Sequence, residues 1–218
     1  MITALLAVAI LAAGCTSAPG SPHDQEAYPT NATPAPATIA EHRNPSPPEE
    51  EDGPLPLGEI VTFRDAREEN ELSLKVASFI DRGRYEPAGE PLKFTAPRGW
   101  RYLFVHVVVT HRGHRGDGYR TTVYAPPIQQ FSLVDNGRTY HPVFIQADYL
   151  LNIGEVYHGD ELVDRNGKSE GYIVYEVPES TVDSGAVVVA DIVGLKDTRG
   201  RDCYNLKYYD KNPAWRLS

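Results

Sequence analysis

Residues 102–110 constrain the fold of this chain more than any other part of the sequence. They read Tyr-Leu-Phe-Val-His-Val-Val-Val-Thr, so each odd position is aliphatic, while the even positions include aromatic and polar residues. Successive side chains of a β-strand point to opposite faces, and this alternation therefore predicts a strand with one strongly buried face. That face holds Leu103, Val105, Val107 and Val109. We expect the rest of the folded domain to be organised around this strand.

Short runs with strand character, separated by turn residues, follow one another from residue 58 onward. The predicted strands cover residues 59–63, 72–79, 102–110, 130–135, 138–143, 171–177, 186–193 and 214–217. Asn136-Gly137 is a strong hairpin signal, because both residues readily adopt positive φ, so the runs on either side of it are expected to pair. Asn166-Gly167 marks a second turn. Together these patterns predict an all-β fold, an immunoglobulin-like antiparallel β-sandwich of seven or eight strands.

The N-terminal residues predict export. Residues 2–13 are apolar or small, which matches a signal-peptide core and is too short for a membrane-spanning helix of about 20 residues. Leu11-Ala-Ala-Gly-Cys15 resembles the lipobox of prokaryotic lipoproteins. The expectation is a signal peptide over residues 1–14 and a lipid on Cys15 that anchors the protein to the membrane outside the cytoplasm. The first residues depart from the usual pattern, since they contain no Lys or Arg.

A tether is predicted between the lipidated cysteine and the domain. Residues 16–58 contain ten of the 18 prolines, together with the run Glu49-Glu-Glu-Asp52. A segment of this composition has too little apolar surface to form a core, and its prolines favour extended conformations. The predicted organisation is therefore a signal peptide at residues 1–14, a lipidated tether at 15–58 and the sandwich domain at 59–218.

Charge is distributed unevenly along the chain. Residues 16–58 hold seven acids and one base, whereas residues 59–218 hold 23 acids and 20 bases. Most of the net charge of -9 therefore belongs to the tether, although it is the shorter segment. Nucleic-acid binding requires a basic face, and no such excess of positive charge is present in the domain. Nucleic acid is therefore not an expected partner. Cys203 has no second cysteine in the domain, so no internal disulfide is expected.

Three blocks of the domain together carry a family resemblance. They are Tyr102-Leu-Phe-Val-His-Val-Val-Val, Phe131-Ser-Leu-Val-Asp-Asn-Gly-Arg-Thr-Tyr140 and Gly171-Tyr-Ile-Val-Tyr-Glu-Val-Pro178. In combination they resemble a family of secreted and lipid-anchored prokaryotic proteins with a telokin-like, immunoglobulin-like sandwich, which is related to a secreted mycobacterial immunogenic protein. The resemblance implies fold and location, and it supplies no catalytic residues. Segments 112–127 and 142–159 are longer here than simple connections need.

Binding, rather than catalysis, is the function expected from the residues. The sequence lacks nucleophile-elbow, zinc-protease, phosphate-loop and dinucleotide-binding motifs, so neither catalytic residues nor a cofactor are predicted. In a sandwich of this kind the loops carry the variable chemistry, and segment 112–127 offers arginine and tyrosine side chains suited to recognition. The predicted ligand-binding residues are Arg112, Arg115, Tyr119, Arg120 and Tyr124. An anionic glycan or an acidic surface of an envelope protein is the expected ligand.

Two alternative functions are also compatible with the residues. The first is a metal carrier or metalloenzyme, for which imidazole ligands would come from His106, His111, His114 and His141. Its weakness is that Arg112 and Arg115 lie beside two of these histidines, and their positive charges oppose a cation. The second alternative is a structural spacer in the cell envelope, in which the loops have no ligand.

Overall fold

The computed structural model describes residues 53–115, 122–206 and 211–218. In these ranges the regular structure is β-strand apart from two short 3-10 turns, at Ile128–Gln130 and Glu179–Thr181. None of the described residues forms an apolar helix of the length that a bilayer crossing requires. Numbered along the chain, the strands are β1 (Val61–Asp65), β2 (Asn70–Arg82), β3 (Arg84–Tyr85), β4 (Phe94–Thr95), β5 (Trp100–His114), β6 (Thr122–Tyr124), β7 (Phe131–Asp135), β8 (Arg138–Tyr140), β9 (Tyr149–Leu150), β10 (Gly154–Glu155), β11 (Leu162–Asp164), β12 (Lys168–Pro178), β13 (Val187–Ala190), β14 (Tyr204–Asn205) and β15 (Ala214–Arg216).

Two antiparallel sheets make up the body of the domain. The first has the order β12-β5-β2-β1-β14, and the second has the order β15-β13-β7-β8. Side chains from both sheets share one buried cluster, which joins Leu74 and Val105 of the first sheet to Leu133, Val188 and Trp215 of the second. Two sheets packed across one core form a sandwich, so the predicted all-β antiparallel sandwich is confirmed. Its sheets contain nine strands in the described residues rather than seven or eight, because the short β14, which has no alternating pattern, adds an edge.

Strand β5 occupies the central position that its sequence predicts. It lies between β2 and β12, with Val107 opposite Val76 on one side and Gly171 on the other. Leu103 and Val105 are fully buried, as are Val107 and Val109 further along the same face. At about 1.5–3 kcal/mol for each buried aliphatic side chain, this face contributes roughly 6–12 kcal/mol before the entropy of ordering is subtracted.

The opposite face of the first sheet carries a second buried cluster that the alternation of β5 does not predict. Tyr102 and Phe104, on the even face of β5, pack there against Ile145, Leu150 and Val156. These three residues come from segment 142–159, which folds back over the sheet. Val143 N of this segment donates a hydrogen bond to Val174 O of β12 at 2.7 Å. The unusual length of this segment is explained by its role as a third layer.

The predicted hairpin at Asn136-Gly137 is present. Strands β7 and β8 pair directly, with Asp135 opposite Arg138. The φ angles of Asn136 and Gly137 are 47° and 76°, and positive φ at both central residues is the geometry that matches the twist of a two-residue hairpin.

The folded unit begins before the predicted boundary at residue 59. Leu55 N donates a hydrogen bond to Ala214 O at 2.8 Å, and Arg216 N donates one to Leu55 O at the same distance. Gly58 N donates a further hydrogen bond to Val76 O at 2.8 Å. Residues 55–58, which the proline content assigned to the tether, therefore belong to the domain, because Leu55 and its neighbour Leu57 pack against the main core.

The length of β5 separates two ends of the sandwich. We call one the rim end, where β1 and β5 end at Asp65 and His114 and where β2 and β12 begin. We call the other the hairpin end, where β2 ends, β5 begins at Trp100 and the small β3–β4 hairpin lies beside them. The 15 residues of β5 correspond to about 45 Å at the usual rise of a strand. Surfaces at the two ends can therefore act independently.

Candidate functional site

Four exposed arginines lie on neighbouring segments at the rim end. Arg112 and Arg115 stand at the end of β5, Arg67 lies in the β1–β2 turn and Arg165 lies in the turn that precedes β12. Backbone hydrogen bonds hold these segments together. Asn166 N donates to His111 O at 3.2 Å, and Arg115 N donates to Glu69 O at 2.8 Å. We call Arg67, Arg112, Arg115 and Arg165 the arginine rim.

A β-bulge explains the orientation of Arg112. Leu72 is paired with His111 and Glu71 is paired with Gly113, so Arg112 is an extra residue on β5 with no partner in the β2 register. A bulge of this kind turns the strand and redirects a side chain. His111 points into the domain and is fully buried, whereas Arg112 is exposed. The sequence interpretation placed Arg112 at the start of a loop, and the structure places it within a strand that ends at His114.

The base of the rim is held by a chain of side-chain hydrogen bonds. Asn70 is fully buried, and its Nδ2 donates to Asp65 Oδ2 at 2.6 Å. Oδ1 of the same amide lies 2.9 Å from Nδ1 of His114, and since an amide oxygen accepts, the imidazole is the donor. Asp65 Oδ1 also accepts from Glu69 N at 2.9 Å. This chain connects the turn that carries Arg67 to the end of β5, so the backbone beneath the rim is fixed before a ligand arrives.

Acidic side chains at the rim end are partly engaged elsewhere. Asp65 accepts the hydrogen bonds of its own turn, and Glu68 Oε1 accepts one from Asn205 Nδ2 at 2.7 Å. Glu69 and Asp164 are also close in sequence to the rim. Because acids and bases nearly balance here, attraction for an anion would come from the geometry of individual guanidinium groups rather than from a net field. Among the described residues, none of the four rim arginines takes part in an ion pair.

The hydroxyl groups of two tyrosines hold residues 124–126, at the end of β6 and just after it, in place. Tyr157, which is buried, donates through its hydroxyl to Pro126 O at 2.6 Å, and Tyr204 donates to Tyr124 O at 2.9 Å. Burial raises the pKa of the Tyr157 hydroxyl well above its ordinary value, so this donor keeps its proton. The backbone at Gly159 passes close to Pro126, and only glycine fits there, because a Cβ at this residue would lie 2.1 Å from Pro126 O.

The five predicted ligand-binding residues are only partly located by the structure. Arg112 and Arg115 belong to the rim. Tyr124, on β6, lies opposite Leu162 of β11, two pairs further from the rim end than Thr122 opposite Asp164. Tyr119 and Arg120 lie outside the described residues. Sequence reasoning missed Arg67 and Arg165, and the available signal for Arg165 was its place beside the predicted Asn166-Gly167 turn.

The four histidines proposed as metal ligands are not brought together. His106 lies on the outer face of β5, where it stacks on Tyr172 with ring centroids 4.9 Å apart, whereas His111 points into the opposite, buried face. His111 Nε2 donates to Gly113 O at 3.1 Å, and its Nδ1 has no hydrogen-bond partner in the described part of the chain. His114 contacts Asn70, and His141 is exposed beyond β8. Across the described residues, no group of three or more His, Cys, Asp or Glu side chains is arranged to hold a metal ion.

Comparison with known proteins finds likeness in solved structures alone. No family model matches the chain, and no curated protein matches it. The yjhA protein from Bacillus subtilis is 17% identical, with 75% of this chain and 99% of that chain covered and a TM-score of 0.48. The secreted protein MPT63 from Mycobacterium tuberculosis is 16% identical, with 75% and 98% covered and a TM-score of 0.44. An uncharacterized β-sandwich protein from Clostridium difficile 630 is 11% identical, with 80% and 100% covered and a TM-score of 0.43.

A secreted mycobacterial protein was the kind of relative expected from the sequence resemblance, and one is present among these similar structures. Identities of 11–17% leave the function of this chain to be inferred from its own residues.

Proposed function

We propose that this chain is an extracytoplasmic, lipid-anchored binding module that captures a carboxylate-bearing ligand on its arginine rim, without a catalytic step. The observation that carries the proposal is the convergence of four exposed arginines from three separate segments on one hydrogen-bonded base. The ligand class is an anionic glycan or an acidic protein surface. Both present carboxylates, which a guanidinium group binds through two parallel hydrogen bonds.

The fixed base supports a binding role because it lowers the cost of association. Ordering a loop or a long side chain on binding costs free energy, and preorganisation reduces that cost. At the rim end the turn with Arg67 is tied to β5 through Asp65, Asn70 and His114. The arginine side chains still have to be ordered by the ligand, so we expect modest affinity for a single carboxylate and higher affinity for a polymer that engages several arginines at once.

The location outside the cytoplasm is proposed from the sequence. Residues 1–14 have the character of a signal peptide, and Cys15 has the small residues before it that lipidation requires. Fractionation of cells that produce the wild-type chain or Cys15→Ala tests the anchor. We expect the wild type in the membrane fraction and the variant in the soluble extracytoplasmic fraction. Equal retention of both in the membrane would contradict lipid anchoring at Cys15.

Ligand binding is tested with two defined polymers, polygalacturonate as the anionic glycan and polyglutamate as the acidic peptide. We expect Arg112→Ala combined with Arg115→Ala to weaken binding about a hundredfold, since each lost charge-assisted contact is worth about 1.4 kcal/mol. The matched control removes the same positive charge at the other end of the domain, at the exposed Arg138 and Arg216, and is expected to change the affinity less than twofold. An equal loss of affinity in both double variants would show a general effect of net charge rather than binding at the arginine rim.

The two polymers also separate the ligand classes and the structural alternative. Tighter binding of polygalacturonate assigns the rim to a glycan, and tighter binding of polyglutamate assigns it to an acidic protein. If neither polymer binds the wild-type chain at low ionic strength, where exposed charges are least screened, the rim is not a carboxylate site and the spacer alternative is favoured.

A further inference from the structure

Large apolar side chains are exposed mainly on one layer of the molecule. Eight described residues of this kind are exposed, and six of them lie at the hairpin end or on the segment that covers the outer face of the first sheet. These six are Leu92, Phe94, Trp100, Phe144, Tyr149 and Leu151. Scattered exposed apolar residues are ordinary, but a concentration on one face marks an interaction surface.

The β3–β4 hairpin is a rigid support for part of this surface. Phe94 stacks on Tyr85 with ring centroids 4.9 Å apart, and Tyr85 contacts the edge of Tyr102 at 4.7 Å. Burial is the main reason that the pKa of Tyr85 is raised to about 12, which agrees with a hairpin that is packed down onto the second cluster. Leu92, in the loop between β3 and β4, is 59% exposed, and Trp100, the first residue of β5, is 41% exposed.

The charge of the hairpin end differs from that of the rest of the domain. Residues 82–100 carry four bases and two acids, whereas the other residues of 59–218 carry 16 bases and 21 acids. Glu86 is paired with Lys93 at 2.9 Å. This pairing leaves the three arginines at positions 82, 84 and 98 against Glu90 alone. Segment 82–100 therefore carries a net positive charge, whereas the rest of the domain is acidic. Of the acids that lie next to this segment at the end of β12, Glu179 is paired with Arg101 at 3.7 Å and Glu176 lies opposite Tyr102.

We propose that the hairpin end docks on an anionic lipid surface. Aromatic and aliphatic side chains that enter the interfacial region, together with arginines that meet anionic headgroups, are the combination that peripheral membrane binding uses. The contact is expected to centre on Leu92 and Trp100, because Asp148 and Glu155 on the neighbouring segment would repel an anionic bilayer. Docking at this end would leave the rim about 45 Å from the lipid surface, and this consequence rests on the proposed function.

Trp100 makes the proposal directly measurable. The chain has two tryptophans, and Trp215 is fully buried in the core, where its Nε1 donates to Glu59 O at 2.9 Å. The full chain is added to vesicles of phosphatidylcholine alone or of equimolar phosphatidylcholine and phosphatidylglycerol, each with brominated acyl chains. We expect the Trp100 emission to be quenched and shifted to the blue in the phosphatidylglycerol vesicles. Trp100→Phe should abolish both changes and leave the Trp215 signal.

Charge variants test the electrostatic part. Each surface arginine near an anionic bilayer favours binding by roughly fivefold, so Arg84→Gln with Arg98→Gln should lower the ratio of docked to undocked protein by about 30-fold. Lys168→Gln with Arg199→Gln, which removes two exposed positive charges at the opposite end of the domain, is the matched control and should leave the quenching unchanged. Leu92→Ser, which alters an exposed side chain, should reduce the quenching without lowering the melting temperature.

Several results would overturn the proposal. Unquenched Trp100 in both kinds of vesicle excludes a lipid contact at this end, even if the N-terminal segment holds the chain on the vesicle. Equal quenching with and without phosphatidylglycerol excludes recognition of an anionic surface. Either outcome leaves the rim untouched, because carboxylate binding is measured separately and without lipid.

Discussion

Two buried tyrosines in the main core should respond in opposite ways to the same change. Tyr157→Phe removes the hydroxyl that donates to Pro126 O at 2.6 Å. Tyr175→Phe removes a hydroxyl that is just as buried but has no hydrogen-bond partner in the described part of the chain. The pKa of each hydroxyl is raised chiefly by burial, so neither group is ionised at neutral pH. The comparison therefore isolates the value of the buried hydrogen bonds that the Tyr157 hydroxyl makes with Pro126 O and with Ser169.

The magnitude follows from the cost of an unsatisfied polar group. Loss of the Tyr157 hydrogen bond leaves the Pro126 carbonyl without its donor, which costs about 2 kcal/mol and lowers the melting temperature of a domain of this size by about 4–8 °C. Removal of the unpaired Tyr175 hydroxyl relieves a desolvation penalty, and part of that gain is lost to a small cavity. We expect a net stabilisation of about 1 kcal/mol, or about 2–4 °C.

Calorimetry of the wild type and the two variants measures both effects. Circular dichroism of each variant before heating controls for altered folding. Equal destabilisation by the two substitutions would refute the reasoning, because it would mean either that the Tyr175 hydroxyl is satisfied or that the Tyr157 hydrogen bond contributes nothing.

Further expected outcomes follow from one close backbone contact and one partly buried histidine. In urea unfolding, Gly171→Ala should destabilise the domain by about 2 kcal/mol, because a Cβ at residue 171 would lie 2.6 Å from Tyr157 N. Gly113→Ala is the control: a Cβ at residue 113 has no atom within 4 Å, so this substitution should be neutral or slightly stabilising. Burial lowers the pKa of His106 in the folded state. As the pH drops below about 6.5, the imidazole of the unfolded chain is therefore protonated before that of the folded chain, and the stability of the fold should decrease. His106→Gln should flatten this decline, and the exposed His141→Gln should not; identical pH profiles of the melting temperature would contradict that assignment.

The sequence predicted the features that depend on neighbouring residues. The alternation of Leu103, Val105, Val107 and Val109 specified the buried face of β5, and all four are fully buried. The Asn136-Gly137 pair specified a turn whose φ angles both had to be positive, and the structure has them. In both cases the physical cause lies within a few residues of the feature itself.

Features that depend on strand order were not predicted. The turns that carry Arg67 and Arg165 lie beside the end of β5 only because β12, β5, β2 and β1 are successive neighbours in one sheet. Local alternation does not encode that order. The same limit applies to Tyr102 and Phe104, which the even face of β5 presents to a covering layer formed from residues about 40–50 positions away. Arg112 was assigned to a loop because the apolar run ends at Val109 and the residues from Arg112 onward are rich in Gly and Arg. In the structure, pairing with β2 continues the strand through a bulge.

The central claim, that the arginine rim binds carboxylates, is tested most directly by NMR of the arginine side chains. Titration of the full chain with polygalacturonate or polyglutamate should shift the Nε–Hε signals of Arg112, Arg115 and Arg165, since hydrogen bonding to a carboxylate changes their environment. The signals of Arg138 and Arg216, exposed elsewhere on the domain, should stay in place. Shifts spread equally over all five arginines, or confined to the last two, would contradict the claim.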